Sequence, residues 1–413
     1  MSPGTRPPAV VVGSDCITGL QTTRLLAARG IPVIGIAANP RHFCARTRAA
    51  DRQIAAPTSG PGLLAALAAL ARELPESGTA FLLPCTDLAV LTISAARATL
   101  PAAYRYVLPE HALLERLVDK VGFAELALEH RLPIPPTAII REPADAERAA
   151  GTLAFPVVVK PPLKTPEWFA GTRAKAILAA NPDELRAVAT RALAWADTLI
   201  AQSWIEGGEV RLISCNAYFD RDGVPQAAFM AGKIRQWPLE TGTASLSEEV
   251  RDDEALEVTT RMFTSLGYRG LAYLELKRDA ATGELAIIEP NLGRPTGRSA
   301  LAEHGGVELL MTAYADALGL PLPERRAQTY GGARWIYWRH DLQASAVRMW
   351  RRELGVAAWL RSLRGSPVEA VGSLRDPVPF ILDGAGAVRS ALWAVVRRLG
   401  RRVTRSDAAM ARR

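Results

Sequence analysis

Residues 286–297 read AIIEPNLGRPTG. Three apolar residues open the stretch like a buried strand. Glu289, Pro290 and Asn291 then appear where the strand should still lie in the core. A charge and a carboxamide are costly there unless something pairs with them. Just upstream, GLAYLELKRDAATGELAIIEPN (residues 270–291) reads as a β-hairpin, with Ala280 to Gly283 as its loop and Gly283 suited to a positive φ. Glu289 and Asn291 are two apart and project to one face. In a hairpin Glu275 can face the same side. Two carboxylates and a carboxamide oxygen then converge, a set that suits a hard cation such as Mg²⁺ with phosphates completing its shell. The plainer alternative is an edge hairpin whose glutamates stand in water.

Other segments carry charge at strand ends. Lys160 closes the apolar run FPVVVK, and Lys120 lies forty residues earlier on a helix. A phosphate is a natural partner for such a compact cation, and a lysine snorkelling to solvent is the alternative. In LIAQSWIEGGEV (residues 199–210) an apolar strand is broken by Gly207-Gly208 and followed by Glu209. A planar base could rest against that strand and bond backbone groups around Trp204 and Ile205, with Glu209 accepting from ribose hydroxyls. A plain β-hairpin with a Gly-Gly turn would give the same pattern.

The totals set the frame. The 413 residues suggest two or three domains, and 49% hydrophobic content is enough for sizeable cores. No apolar stretch reaches the length of a membrane-spanning helix, and the N-terminus does not read as a signal peptide. Four Cys, far apart and without a CxxC, argue against a zinc site or a disulfide framework and suit a reducing, cytoplasmic setting. The net charge of +8 is uneven: residues 389–405 hold six Arg and no acid. Nucleic acid is not favoured, because no helix-turn-helix, finger or aromatic-basic repeat appears. No HExxH, GxSxG or triad is visible, so hydrolase readings are poor.

Along the chain, residues 9–100 alternate strand and helix like a small doubly wound α/β domain. Gly13 and Gly19 mark its first turn but lack the GxGxxG spacing and a ribose-binding acid, which leaves an NAD(P)-dependent oxidoreductase as a remote reading. Residues 113–131 read as one helix. A Pro-rich entry, the strand ending at Lys160, and a helix capped by Asn181 or Asp183 follow. Near the C-terminus, Leu392, Val395, Val396 and Leu399 share one face of a basic amphipathic helix. That helix either packs on the domain with a solvated Arg face or lies on an anionic membrane.

Four segments in order, VDK, FPVVVKP, AQSWIEGGE and YLELKRDAATGELAIIEPN, resemble the ATP-grasp superfamily over roughly residues 113–318. The chain looks most like its carboxylate-amine ligase-type members, with the carbamoyl-phosphate-synthase-like form of the fold; KIRQWPLETGTAS is a further shared segment. The resemblance implies an α/β and α+β multidomain chain. A Rossmann-like preATP-grasp domain would occupy residues 1–110. A two-lobed ATP-grasp domain would occupy residues 111–325, its lid at about 120–200 and its large lobe at about 201–325. A helical C-terminal extension would cover residues 326–413.

The resemblance also implies roles. Lys120 and Lys160 contact ATP phosphates, Lys160 also near the adenine. Gln202, Trp204 and Ile205 form the adenine hinge, and Glu209 holds the ribose. Glu275, Glu289 and Asn291 hold Mg²⁺, with Mn²⁺ as a substitute. Arg294 faces the γ-phosphate or a substrate carboxylate, Lys233 and Arg235 steady the transferring phosphate, and Arg298 and Ser299 lie near substrate. The lid departs from the usual Gly/Ser-rich loop: PPLKTPEWFAGTRAKA has one Gly, Gly171, and a bulky Trp168-Phe169. Amides at Gly171-Thr172 and the side chain of Lys175 are the remaining phosphate contacts there. The implied reaction phosphorylates a carboxylate to an acylphosphate, which an amine, such as an amino acid or peptide, attacks to form an amide. A homodimer is a common outcome for such enzymes. A nucleotide-binding module without turnover is the rival reading.

Overall fold

The run AVVV forms β1 (Ala9–Val12), buried along its whole length. The computed structural model describes residues 6–74, 78–162, 165–172, 174, 176–239, 242–365, 367–387 and 389. After β1 come α1 (Ile17–Ala27), β2 (Val33–Ala37), β3 (Arg52–Ala55), α2 (Gly60–Ala71), β4 (Ala80–Pro84), α3 (Asp87–Ala95) and β5 (Tyr104–Arg105). The strands make a parallel sheet in the order β3-β2-β1-β4-β5. Apolar strands such as β1 and β4, buried on both faces, suit parallel pairing. The strand order reverses between β1 and β4, which opens a crevice at their carboxyl ends. The glycine pair there is a packing requirement. Gly13 has φ +89°, and a Cβ on Gly19 would collide with the Gly13 carbonyl oxygen.

The single helix expected at 113–131 is two helices, α4 (His111–Val118) and α5 (Lys120–Glu129). Asp119 breaks it by leaving helical geometry, with ψ 127°, and capping α5: its carboxylate accepts from Gly122 N at 2.7 Å. Lys120 thereby becomes the first residue of a helix.

A second unit follows: β6 (Thr137–Ile140), α6 (Pro143–Thr152), β7 (Val157–Lys160), α7 (Pro166–Thr172), β8 (Ile177–Ala179), α8 (Pro182–Ala192) and β9 (Leu199–Ser203). Its four strands order as β6-β9-β7-β8. It has its own core, in which Ile140, Val157, Val159, Trp168, Leu185 and Leu199 pack together. The segment expected to be a loop after Lys160 contains α7. Trp168 of α7 is fully buried and donates from Nε1 to Ala174 O at 2.7 Å.

The third sheet contains β10 (Leu212–Phe219), β11 (Pro225–Trp237), β12 (Thr243–Glu249), then, after α9 (Asp253–Ser265), β13 (Gly270–Arg278) and β14 (Leu285–Leu292). Helices α10 (Ser299–His304) and α11 (Leu309–Ala317) precede β15 (Arg334–Ile336), and α12 (Trp338–Trp350) and α13 (Val356–Ser362) precede β16 (Val368–Glu369). The order is β14-β13-β10-β11-β12-β15-β16. Two corrections follow. Strands β9 and β10 belong to different sheets, so the Gly-Gly stretch is a link between units and not a hairpin turn. The C-terminal segment is not purely helical, because β15 and β16 extend the large sheet. The basic amphipathic helix expected at 389–405 lies outside the described residues, Arg389 aside.

The first and third sheets share continuous cores. One joins Val10, Leu82 and Ile93 to Cys215, Leu274 and Leu292. The other joins Leu20 and Phe81 to Tyr314, Trp335 and Tyr337. Charge pairs fasten the C-terminal segment to both. Arg24 of α1 reaches Asp376 at 2.9 Å and Val371 O at 2.7 Å. Arg235 of β11 clasps Asp341 of α12 with bonds of 2.7 and 3.1 Å and adds Ser362 Oγ at 2.8 Å. Irregular pairing of β11 with β12 on either side of Arg235 accompanies this placement. Arg235 is therefore corrected from a phosphate contact to a buried structural cation.

Two predictions follow from these contacts. Arg235→Ala leaves Asp341, fully buried, without its cationic partner, and should cost about 3–5 kcal/mol in chemical denaturation. Glu369 is half-buried beside Gly372, and its carboxylate accepts from Val371 N at 2.7 Å. Burial pushes it up to about 7, only partly offset by the amides of Val371 and Trp338 and by the charge of Arg24. The folded state thus holds the proton more tightly than the unfolded chain, so the stability this gives is complete at low pH and is lost as pH rises through about 7. Glu369→Gln should melt higher than the parent at about pH 8 and no higher at about pH 4.

Candidate functional site

The hairpin β13–β14 builds the floor of the site. Glu275 pairs directly with Glu289, and Tyr273 with Asn291. The register then slips: Leu276 pairs with Ile287, leaving Ile288 as a bulge. Directly opposed residues stand side by side on one face, so Glu275, Glu289, Tyr273 and Asn291 share it. The face opens on a cavity of about 680 Å³ between the four-stranded and seven-stranded sheets. Gln202, Trp204, Ile205, Lys233, Glu275, Glu289, Asn291, Arg294 and Arg298 all border it. A side pocket of about 70 Å³ shares Gln202 and Glu289 with it and brings in Lys120 and Lys160.

Two opposed carboxylates repel, and the surroundings moderate this. Lys233 Nζ lies 3.7 Å from Glu275 Oε1. Burial holds the Lys233 ammonium below its usual range; Glu275, Glu289 and Glu209 oppose that effect and Arg298 adds to it. Tyr273 donates its hydroxyl to Glu275 Oε2 at 2.9 Å and accepts from Arg298 Nη2 at 2.5 Å. Arg294 is held by Asp87 at 2.5 Å and donates to Asn291 Oδ1 at 2.5 Å. Three oxygen-bearing side chains on one open face fit a hard divalent cation. Such a cation would take Asn291 Oδ1 in place of Arg294.

At the hinge, Lys160 donates to Gln202 Oε1 at 3.0 Å, and Gln202 Nε2 to Thr137 Oγ1 at 3.0 Å. Lys120 donates to Pro162 O at 3.2 Å. These contacts tie α5 and β9 to the end of β7, where both ammonium groups gather.

Some expected residues sit elsewhere. Glu209 is outside the cavity lining, because Arg348 of α12 takes its carboxylate. The hydroxyl of Ser299 is spent on Thr296 O at 2.9 Å. Gly171 and Thr172 are helical, in α7, where amides point back along the helix. Lys175 lies outside the described residues. Conversely, Lys277 was missed. It donates to Ile205 O at 2.8 Å and stands 5.1 Å over the Trp204 ring. Its signal was present: Lys277 is two residues beyond Glu275 on the same strand face. Ile17, Thr18, Trp335 and Tyr337 also wall the cavity, and no local pattern marks them.

No family model matches the chain. A stretch of 202 residues is 28% identical to the D-aspartate ligase of Enterococcus faecium (strain Aus0004), covering 46% of this chain and 47% of that one. The chain therefore spans about half the length of this curated relative. Among solved structures, the Staphylococcus aureus N5-carboxyaminoimidazole synthetase complexed with ADP superposes with a TM-score of 0.60 at 14% identity, over 77% of this chain and 78% of that chain. The biotin carboxylase domain dimer of Hydrogenobacter thermophilus 2-oxoglutarate carboxylase, in complex with MgADP, ADP and bicarbonate, gives 0.58 at 16% identity over 78% and 72%. These likenesses show the fold, in which two sheets face one cavity above an acidic hairpin.

Proposed function

We propose that the chain is an ATP- and Mg²⁺-dependent carboxylate-amine ligase. The carrying observation is the pairing of Glu275 with Glu289, Asn291 beside them, on a face shared with Lys233 and open to the cavity between the sheets. Glu275, Glu289 and Asn291 would hold Mg²⁺, which when bound neutralises charge between the phosphates. Lys120 and Lys160 bind phosphate oxygens. The adenine lies at Gln202, Trp204 and Ile205, where Lys277 steadies the hinge. Lys233 and Arg294 balance charge as the γ-phosphate passes to a carboxylate, giving an acylphosphate and ADP. An amine nitrogen then attacks the acyl carbon, and phosphate leaves. The protein's part is alignment and electrostatics, so no side-chain nucleophile is required.

In this reading residues 1–110 form the preATP-grasp domain, 111–325 the ATP-grasp domain and 326–413 the extension. Likeness to a D-aspartate ligase supports a small-molecule acid and an amine as substrates, and the dimeric Hydrogenobacter domain supports looking for a homodimer. No helix among the described residues is long and apolar enough to cross a membrane; the cytoplasm is the compartment where ATP would be met. One observation favours a nucleotide-binding module without turnover: α7 stands where a flexible phosphate-covering loop would be.

The test is ADP release from MgATP, with D-aspartate and D-alanine as first acids and pooled amines. Release requiring both acid and amine is the expected result. Glu289→Ala and Asn291→Ala should lower it by about 100-fold or more while circular dichroism shows the fold intact. Full turnover in either variant would refute the metal assignment, and ATP binding with no release in any pool would favour the module.

A further inference from the structure

Helix α12 is built inside out. An ordinary surface helix turns its apolar stripe to the core and its polar face to water. The inner stripe of α12 instead carries Asp341, Ser345 and Arg348, spaced along one helical face. Asp341 is clasped by Arg235 and accepts from Trp359 Nε1 at 3.1 Å, and Arg348 takes the carboxylate of Glu209. The outer stripe carries Leu342, Ala346 and Trp350, each four residues from the last and all exposed. Trp350 is 82% exposed and Leu342 50%.

Helix α13 extends this apolar surface. Its Trp359 turns inward to Asp341, and the carbonyls of Ser362 and Arg364 accept from Arg334 of β15 at 2.8 and 2.7 Å. Val356 and Leu360, one turn apart, are left outward at 60% and 55% exposure. Eight of the seventeen exposed large apolar side chains among the described residues lie between Leu342 and Leu382. Such crowding of apolar surface in water marks a place where something docks.

The charge around it says what. Arg351 and Arg352 follow Trp350, Arg361 and Arg364 close α13, and all four are exposed. The acids of residues 338–364 are Asp341, which is buried against Arg235, and Glu353, which lies 3.9 Å from Arg351. An apolar surface with a cationic border favours an anionic partner. A second copy docked about a two-fold axis would set these arginines against one another. Residues 389–405, with six Arg and no acid, would also bring cation to cation.

We propose that the outer face of α12 and α13 docks on an anionic lipid bilayer. Trp350, Val356 and Leu360 enter the headgroup boundary, and the four arginines meet lipid phosphates. A tryptophan suits that boundary, since its ring is apolar and its N–H stays in reach of polar groups. Surface binding of this kind draws on both buried apolar area and attraction to anionic lipid. The inference is independent of the ligase reading, because none of these residues lines the cavity.

The test is co-sedimentation of the full chain with vesicles of phosphatidylcholine alone and of phosphatidylcholine mixed with an equal amount of phosphatidylglycerol. The parent should sediment with the mixed vesicles, stay in solution with the neutral ones, and be released as salt is raised. Trp350→Ser combined with Leu360→Ser should weaken binding by about tenfold or more, and so should Arg361→Gln combined with Arg364→Gln. Melting temperatures near the parent's and unchanged MgADP binding show that these variants keep the fold and the cavity. A further variant of the full chain, Leu392→Ser with Val395→Ser, tests the basic tail as the anchor. The proposal is overturned if the parent ignores the mixed vesicles, if it binds neutral vesicles equally well, or if the α12 and α13 variants sediment as the parent does, whatever the tail variant does. A vesicle-free dimer that Trp350→Ser dissociates would also overturn it and assign the face to a second copy.

Discussion

The direct opposition of Glu275 and Glu289 across β13 and β14 is the constraint around which the site is arranged. Like charges facing each other on adjacent strands destabilise a sheet, so the arrangement persists only because its neighbours answer it. Lys233 approaches from β11, two strands away, and Tyr273 supplies a hydroxyl from the same strand face. Asn291 follows Glu289 on that face and keeps Arg294 close. Each of these contacts makes the acidic floor tolerable.

The four-stranded unit borders the same cavity. The four-stranded unit has its own core, separate from the clusters that weld the first and third sheets together. The link between them is the stretch from β9 to β10, which carries Gln202, Trp204 and Ile205. A hinge made of exposed backbone would be loose. Here Lys277 grips the Ile205 carbonyl from below, and Lys160 grips Gln202 from the four-stranded unit. The position of the hinge is thus tied to both units at once.

The C-terminal segment contributes more than a cap. It adds β15 and β16 to the large sheet and holds Arg235 through Asp341. Through Arg348 it takes the carboxylate of Glu209. It also supplies Trp335 and Tyr337 to the cavity wall. A part of the chain that reads as an appendage therefore decides which charges reach the cavity and what shape it presents.

By itself the sequence determined the hairpin, its polar face and the order of the segments that carry chemistry. Those follow from period-two alternation, a Gly suited to the loop and apolar runs that end in charge, all of which act over a few residues. Tertiary structure alone decided which charges are free to work. Arg235 and Lys233 look alike in KIRQW, yet one is claimed by an aspartate 106 positions away. Glu209 is claimed from 139 positions away, and Arg294 is tied to Asp87 from 207. The helix break at Asp119 was hidden for a related reason: the apolar pattern runs through it, and only the capped geometry shows where one helix stops. An ionic side chain takes its role from the partner that the fold brings within a few ångströms, and that partner lies beyond the reach of any local pattern.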